Sequence, residues 1–419
     1  MKIKFSINYA YREFFILLLC FFITFCFNLI YEYKKYQNFK ITKHLFLKEN
    51  IILSSQNKTT KKGKHYQILK VKNNNFIFYT ANYSDLKFNK NDILSLRIIT
   101  KNISFKDYLS KSFFVPSYDF NKSINNFNEN KIKNYFLSQH TNEKIKEFYG
   151  ALFFAQSVSK ELRNDVNFYG VAHLIAISGY HLGLLFSFCF FILNPLYAFF
   201  QKRYFPYRSL KLDISIFAFM LLISYIFIID FTPSYTRALC MALFGFYLFS
   251  RNIKILSFKF LFLSVAFCIS IFPKLLFSIG FLFSILGVFY IYLYLYHFKK
   301  YFSNYIHIIL LNFWTFLAMI IPVLHFFPLL SLQQFLAIPL SLIFIIFYPL
   351  VLLLHIFSYG NLLDTFLLNF FAIKSYSIDF TINNIYFILY LILSFLAIFN
   401  KYLALFVISL GLIPFIFLI

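Results

Sequence analysis

The sequence is short of charge. Asp, Glu, Lys and Arg make up only 13% of its 419 residues, 16 of them acidic, while 60% are apolar. A soluble domain runs near half apolar and a quarter charged, so this balance excludes an ordinary water-soluble fold and points to the membrane. Cysteine is scarce and poorly placed for cross-links. Cys20, Cys26, Cys189, Cys240 and Cys268 all lie in apolar runs, and the polar region has none. Neither a disulfide framework nor a cysteine metal site is indicated. A G-x-x-x-x-G-K-[ST] phosphate loop is also missing, which excludes a P-loop ATPase within this sequence. Glycine is rare, ten in all, yet Gly170, Gly179 and Gly183 fall within fourteen residues.

What is present is a series of apolar runs, at 14–30, 182–201, 212–231, 235–250, 255–272, 275–298, 305–329, 333–356, 383–399 and 402–418. A span takes roughly 17–25 residues, so about ten crossings are expected, one or two of them re-entrant. The first run lacks a small-x-small cleavage site and is followed by Tyr31, Glu32 and Tyr33, so it reads as an uncleaved anchor.

Residues 34–131 differ in kind. They are polar and lysine-rich, with short alternating apolar runs at Ile51–Ser54, Tyr66–Val71, Phe76–Thr80 and Ile93–Ile99, and a turn at Asn73-Asn74-Asn75. Several short strands in under a hundred residues predict a small OB-like β-barrel. Between 40 and 111 there are fifteen Lys and Arg against four Asp and Glu. The candidates for nucleic-acid contact here are Lys58, Lys61, Lys62, Lys64, Tyr66, Lys70 and Lys72, with Phe76, Phe78 and Tyr79 as further stacking faces. A blander origin competes with that reading. Lysine outnumbers arginine 33 to 7, as an AT-rich genome would give, and the net charge of +24 alone decides little.

From 132 to 168 apolar and charged positions alternate at helical spacing, which predicts an interfacial amphipathic segment, entered through an Asn/Lys-rich linker at 121–134. Loop charges set the topology. Lys2, Lys4 and Arg12 place the N-terminus inside and the β-module outside, and the basic loops at 202–211, 251–254 and 299–303 then fall inside in turn.

Ionisable residues within spans are costly and need a reason. After residue 165 the candidates are His173, His181, Asp213, Asp230, Arg237 and His325, with Ser178 beside them. Asp213 reads as interfacial. Thr232 and Pro233 read as a helix start, and Arg237, one turn further on, either snorkels outward or faces inward. No carboxylate or cysteine stands near the two signature histidines in sequence, so no metal ligand set and no cofactor is expected. Glycines around the histidines instead predict a broken or re-entrant segment. Irregular backbone at membrane depth is tolerated only inside protein or against water. His173, Ser178, Gly179, His181, Gly183 and Arg237 are therefore the candidate lining of a transport pathway.

At this point a family resemblance stands on four stretches. G-x-x-HLIAISGYHLGLL at 170–185 resembles the signature of the ComEC competence channels, and PSYTRALCM at 233–241 resembles their P-S-x-x-R-A-x-x-M helix. PKLLFSIGFLFSILGV from Pro273 resembles their P-x-x-L…GFQLSF stretch, with Leu282 in place of the usual glutamine. LQQFLAIPLSLIFIIFYPL at 332–350 resembles their N-x-x-x-IPL…PL segment. The resemblance implies import of single-stranded DNA across the bacterial cytoplasmic membrane in natural transformation. It also implies a periplasmic DNA receptor and a separate cytoplasmic ATPase or helicase as partners, with lipid around the spans and a homodimer as the assembly. No H-x-H-x-D-H stretch is present, so the expected form is the one without the family's metallo-β-lactamase-like nuclease domain, and no enzymatic activity is expected. The expected fold is a polytopic α-helical membrane protein with a small N-terminal extracytoplasmic OB-like β-barrel. Its divisions are an anchor (1–33), the β domain (34–131), the amphipathic segment (132–168), a channel domain (169–360) and C-terminal helices (361–419). Two other classes compete: an exporter or flippase of an anionic envelope polymer, and an intramembrane serine protease built on Ser178.

Overall fold

The computed structural model describes residues 7–59, 65–73, 76–84, 86–89, 92–110, 113–123, 131–229, 232–250, 258–373 and 376–418. Lys61, Lys62, Lys64, Asn74, Asn75, Asp230, residues 124–130 of the linker and the whole 251–254 loop lie outside them. The chain forms two compact units, Met1–Asn128 with Phe262–Leu282, and Glu129–Leu261 with Phe283–Ile419.

The first unit begins with a long helix, α1 (Ile7–Lys40), whose apolar first half is the anchor. The helix does not stop at the polar residues after 30. Its last turns carry Tyr36 and Phe39 into the core of the β-module, where both are buried. Strands β1 (His44–Thr59), β2 (His65–Lys72), β3 (Ile77–Asn82) and β4 (Ile93–Ile99) follow. The short helix α2 (Phe105–Leu109), capped by Ser104, leads to β5 (Phe113–Phe114) and β6 (Ser117–Ser123). All four expected strands form, but the expected barrel does not. The six strands make an open sheet in the order β5-β3-β2-β1-β4-β6, with β5 and β6 as its two edges. The edge strand β6 was not readable in the sequence, because SYDFNKS is too polar to announce itself. Elsewhere alternation decides the faces. Leu69, Val71, Phe78, Leu94, Leu96 and Ile98 point inward and are fully buried. In this unit Asn28 donates to the Ser270 carbonyl at 2.7 Å and Lys274 pairs with Glu32 at 3.0 Å. The ion pair ties the second half of α1 to the 3₁₀ turn Pro273–Phe277.

The second unit is helical. It opens with α3 (Lys131–Leu137), α4 (Glu143–Phe154), α5 (Lys160–Phe168) and the single turn α6 (Ala172–Ile175). Then come α7 (Gly179–Tyr204), α8 (Leu210–Ile228), α9 (Pro233–Ser250), α10 (Phe258–Ile271, shared between the units), α11 (Ile279–Phe298) and α12 (Asn304–Phe326). A short strand β7 (Leu329–Ser331) and a 3₁₀ turn (Leu332–Leu336) precede α13 (Ala337–Ile356). After them α14 (Asp364–Ala372), β8 (Ser377–Asp379), α15 (Asn384–Leu396), α16 (Lys401–Ser409) and α17 (Ile413–Ile416) complete the chain, and β8 pairs antiparallel with β7. Among the described residues six helices are long and apolar enough to cross a membrane, including α7, α8, α11, α12 and the 25 residues ending with α13. The chain is a multi-pass inner-membrane protein.

Candidate functional site

The helical unit is interrupted where the three glycines lie. Helix α5 ends at Phe168, and Gly170 then takes a φ of +67°, a left-handed conformation that L side chains rarely adopt. A Cβ there would also come within 3.3 Å of the Gln334 side chain. The carbonyls freed by the break are not left bare. Gln334 donates to the Asn167 carbonyl at 3.3 Å, and the Ser331 hydroxyl donates to the Phe168 carbonyl at 2.7 Å. Buried backbone polar groups need such partners wherever a helix stops inside protein.

One turn of helix follows, then extended backbone, then α7. Ser178 is the N-cap of α7, with its hydroxyl accepting from the Tyr180 amide at 3.3 Å. His181 completes a capping box, its Nδ1 accepting from the Ser178 amide at 3.3 Å. That contact puts the ring proton on Nε2. This Nε2 is buried without a hydrogen bond, and the ring stands edge-on to Phe344 and Tyr348 of α13 at 5.2 and 5.0 Å. His173 reaches the Gly170 carbonyl at 3.1 Å and the Ser341 hydroxyl at 3.3 Å, while Tyr180 donates to the Ser341 carbonyl at 2.8 Å. The signature is therefore a helix restart docked along one face of α13.

The expected lining residues divide. His173, Gly179 and Gly183 are exposed, Ser178 is half-buried, and His181 is fully buried as part of the cap. An added Cβ at Gly183 would meet nothing within 4 Å, and one at Gly179 would meet only Ala238 of α9, at 3.5 Å. Arg237, the neighbour of Ala238, is 6% exposed and does not snorkel outward. Thr232 directly precedes α9 as expected, yet its hydroxyl is buried without a hydrogen bond. Asp213 is an ordinary end-of-helix pair with Arg208 at 2.9 Å, and His325 Nδ1 donates to the Ile382 carbonyl at 2.9 Å while its ring stacks on Phe387. Ser178 Oγ lies 3.4 Å from His181 Nδ1, but no carboxylate orients that histidine, so the pair has the geometry of a cap rather than of a catalytic triad. No group of three His, Cys, Asp or Glu among the described residues is arranged to hold a metal ion.

In the β-module the candidates separate by strand parity. Tyr66 lies opposite Lys58 and Tyr79 opposite Lys70, whose ammonium sits 5.5 Å from the Tyr79 ring centre. Lys72 shares that outward register. Phe76 and Phe78 belong instead to the module's core. Tyr66 stacks on exposed Tyr83 at 5.2 Å, a partner the sequence did not single out.

Sequence reasoning missed one constellation altogether. His140, His355 and Asp364 meet in the helical unit although 215 and 224 residues separate His140 from the other two. Each looked like a lone polar residue near an apolar run, and nothing local signals their contact.

A bundle of membrane-length helices, broken at a glycine-rich polar segment that is capped and docked on a neighbouring span, defines a polytopic membrane protein and is consistent with a transport role. The chain belongs to the Competence protein family, whose model matches residues 154–419, from the end of α4 through the signature to the last helix. Neither a curated protein nor a solved structure matches the chain.

Proposed function

We propose that this chain forms the membrane passage through which single-stranded DNA enters the cytoplasm. The observation that carries the reading is the interrupted segment 169–178, where a membrane-embedded unit of a competence-family chain holds irregular backbone and exposed polar groups together. A polyanion cannot cross bare hydrocarbon, and conduction needs weak, multiple contacts that exchange along the strand. Exposed His173 and half-buried Ser178 supply such contacts, while Gly179 and Gly183 keep the surface open. His181 and Arg237 support this wall from behind. The β-module lies outside the cytoplasmic membrane in this reading, and its outward Lys58, Lys70, Tyr66 and Tyr79 meet the strand first. A DNA receptor outside and a motor inside act as separate partners, with two copies of the chain as the assembly.

Deleting the gene tests the reading with two measurements, transformation frequency and entry of labelled DNA into the cytoplasm. Both are expected to fall to background. Intact DNA entry together with an altered cell envelope would instead identify an exporter of an anionic polymer.

A further inference from the structure

The His140 cluster joins three parts of the helical unit. His140 follows α3, His355 lies in the last turn of α13, and Asp364 begins α14. The three are 3%, 0% and 9% exposed. His140 Nδ1 stands 2.9 Å from both oxygens of Asp364, and its Nε2 stands 3.0 Å from His355 Nε2. His355 Nδ1 in turn reaches the Val351 carbonyl at 2.6 Å. Around them Gln139 makes a strap: its amide donates to the His355 carbonyl at 2.9 Å, and its oxygen accepts from the Gly360 amide at 2.8 Å. A Cβ on Gly360 would fall 2.5 Å from that oxygen and 2.8 Å from His355 Cδ2, so only glycine admits the strap.

Counting protons gives the inference. A carbonyl only accepts, so His355 Nδ1 carries hydrogen, and a carboxylate only accepts, so His140 Nδ1 carries hydrogen. Were both rings neutral, the two Nε2 lone pairs would face each other at 3.0 Å with nothing between them. The contact requires one more hydrogen. Its charge is balanced by Asp364, which leaves the buried cluster neutral overall, as a low-dielectric site demands. Only the two Nε2 atoms converge on the gap, because both Asp364 oxygens are turned to His140 Nδ1, and two ligands fall short of the three or four a metal site needs; the occupant is a proton.

We propose that His140, His355 and Asp364 form a proton-binding site, with one proton held between the two Nε2 atoms, and that its loss frees the Gln139–His140 strap from the end of α13. The other titratable groups packed here are tyrosines. Tyr149 of α4 lies flat on His140 at 4.5 Å and edge-on to His355, its hydroxyl unbonded, and Tyr135 of α3 bonds the Ile356 carbonyl and Ser358. Phe136 and Phe153 cover the remaining faces of His355. The proton released goes to water, and an uncompensated carboxylate and two opposed lone pairs remain behind. The site stands whatever the chain transports.

The test is a substitution cycle on the full chain in lipid nanodiscs, read as the thermal midpoint at neutral and alkaline pH. Asp364→Asn keeps an acceptor for His140 but removes the charge that balances the proton, so the midpoint falls by several degrees. His355→Gln on top of Asp364→Asn supplies an N–H donor to a neutral His140, needs no proton, and recovers at least half of that fall. Raising the pH lowers the wild-type midpoint, because the latched state holds a proton that the released state gives up, and leaves the double variant unmoved. A double variant no more stable than Asp364→Asn, or one that fails to fold alongside it, overturns the proposal. So does a wild-type midpoint indifferent to alkali, or one raised by Zn²⁺ and returned by EDTA, which would make the occupant a metal.

Discussion

The sheet module and the helical unit place polar side chains by different rules, although both bury some, Asn50, Thr80, Asn82 and Thr100 in the module. In the module, period-two alternation sends Leu69, Val71 and Phe78 inward and Lys58, Lys70 and Tyr79 to the other face. In the helical unit a set of polar residues lies inside: His181, His355, Ser331, Gln334 and Ser341 are all buried. Most of them bond backbone groups at interruptions or ends of helices, as with Gln334 and Ser331 at the break after α5. A surface bathed in water tolerates polarity anywhere, whereas a membrane unit concentrates it where the backbone must leave its own ladder.

The comparison breaks most sharply at Gly170. Gly170→Val forces a β-branched residue into the left-handed region and against Gln334, at a cost of about 4 kcal/mol from strain and crowding together. Thermal unfolding of the solubilised chain is expected to show loss of the helical unit. In the module the corresponding insult is a cavity. Leu69→Ala, at a fully buried position, costs about 3 kcal/mol. Limited proteolysis of the full chain should then cut within 44–123 while 131–261 and 283–419 stay resistant, and simultaneous loss of both would mean that the units are not independent.

Smaller effects sharpen the contrast. Ser178→Ala removes the cap of α7 for about 1 kcal/mol, leaving membrane abundance normal. Under the proposed function labelled-DNA entry nonetheless falls. Smallest is a pH effect at the module's surface. Partial burial pushes the Asp92 carboxyl upward, but the Lys122 ammonium at 2.7 Å and the Asn89 amide outweigh it and hold it below the usual carboxylate range. Its contribution is present above that range and fades as the pH falls through the depressed value. Lys122→Met should flatten the acid limb of the module's unfolding curve slightly.

Legibility in the sequence follows the same division. Three of the four expected strands start and end within a residue or two of the expectation, and β4 matches at both ends, because alternation is a local property. Barrel closure was not legible, since it depends on which edges pair, and here β5 and β6 do not pair with each other. The break at Gly170–Ser178 was visible in the glycines, but the direction in which His181 points was not. Its place in a capping box rests on its spacing from Ser178, S-G-Y-H, with a histidine where glutamate or glutamine is usual. The His140, His355 and Asp364 cluster needs the full fold to exist.

The central claim is that the interrupted signature borders the route of the strand, and Gly179 tests it most directly. An alanine fits there, because its Cβ would rest in ordinary contact with Ala238 at 3.5 Å, whereas a leucine fills the space beside α9. With both variants at wild-type abundance in the membrane, the account predicts normal entry of labelled DNA for Gly179→Ala and none for Gly179→Leu. Normal entry for Gly179→Leu would remove the signature from the pathway.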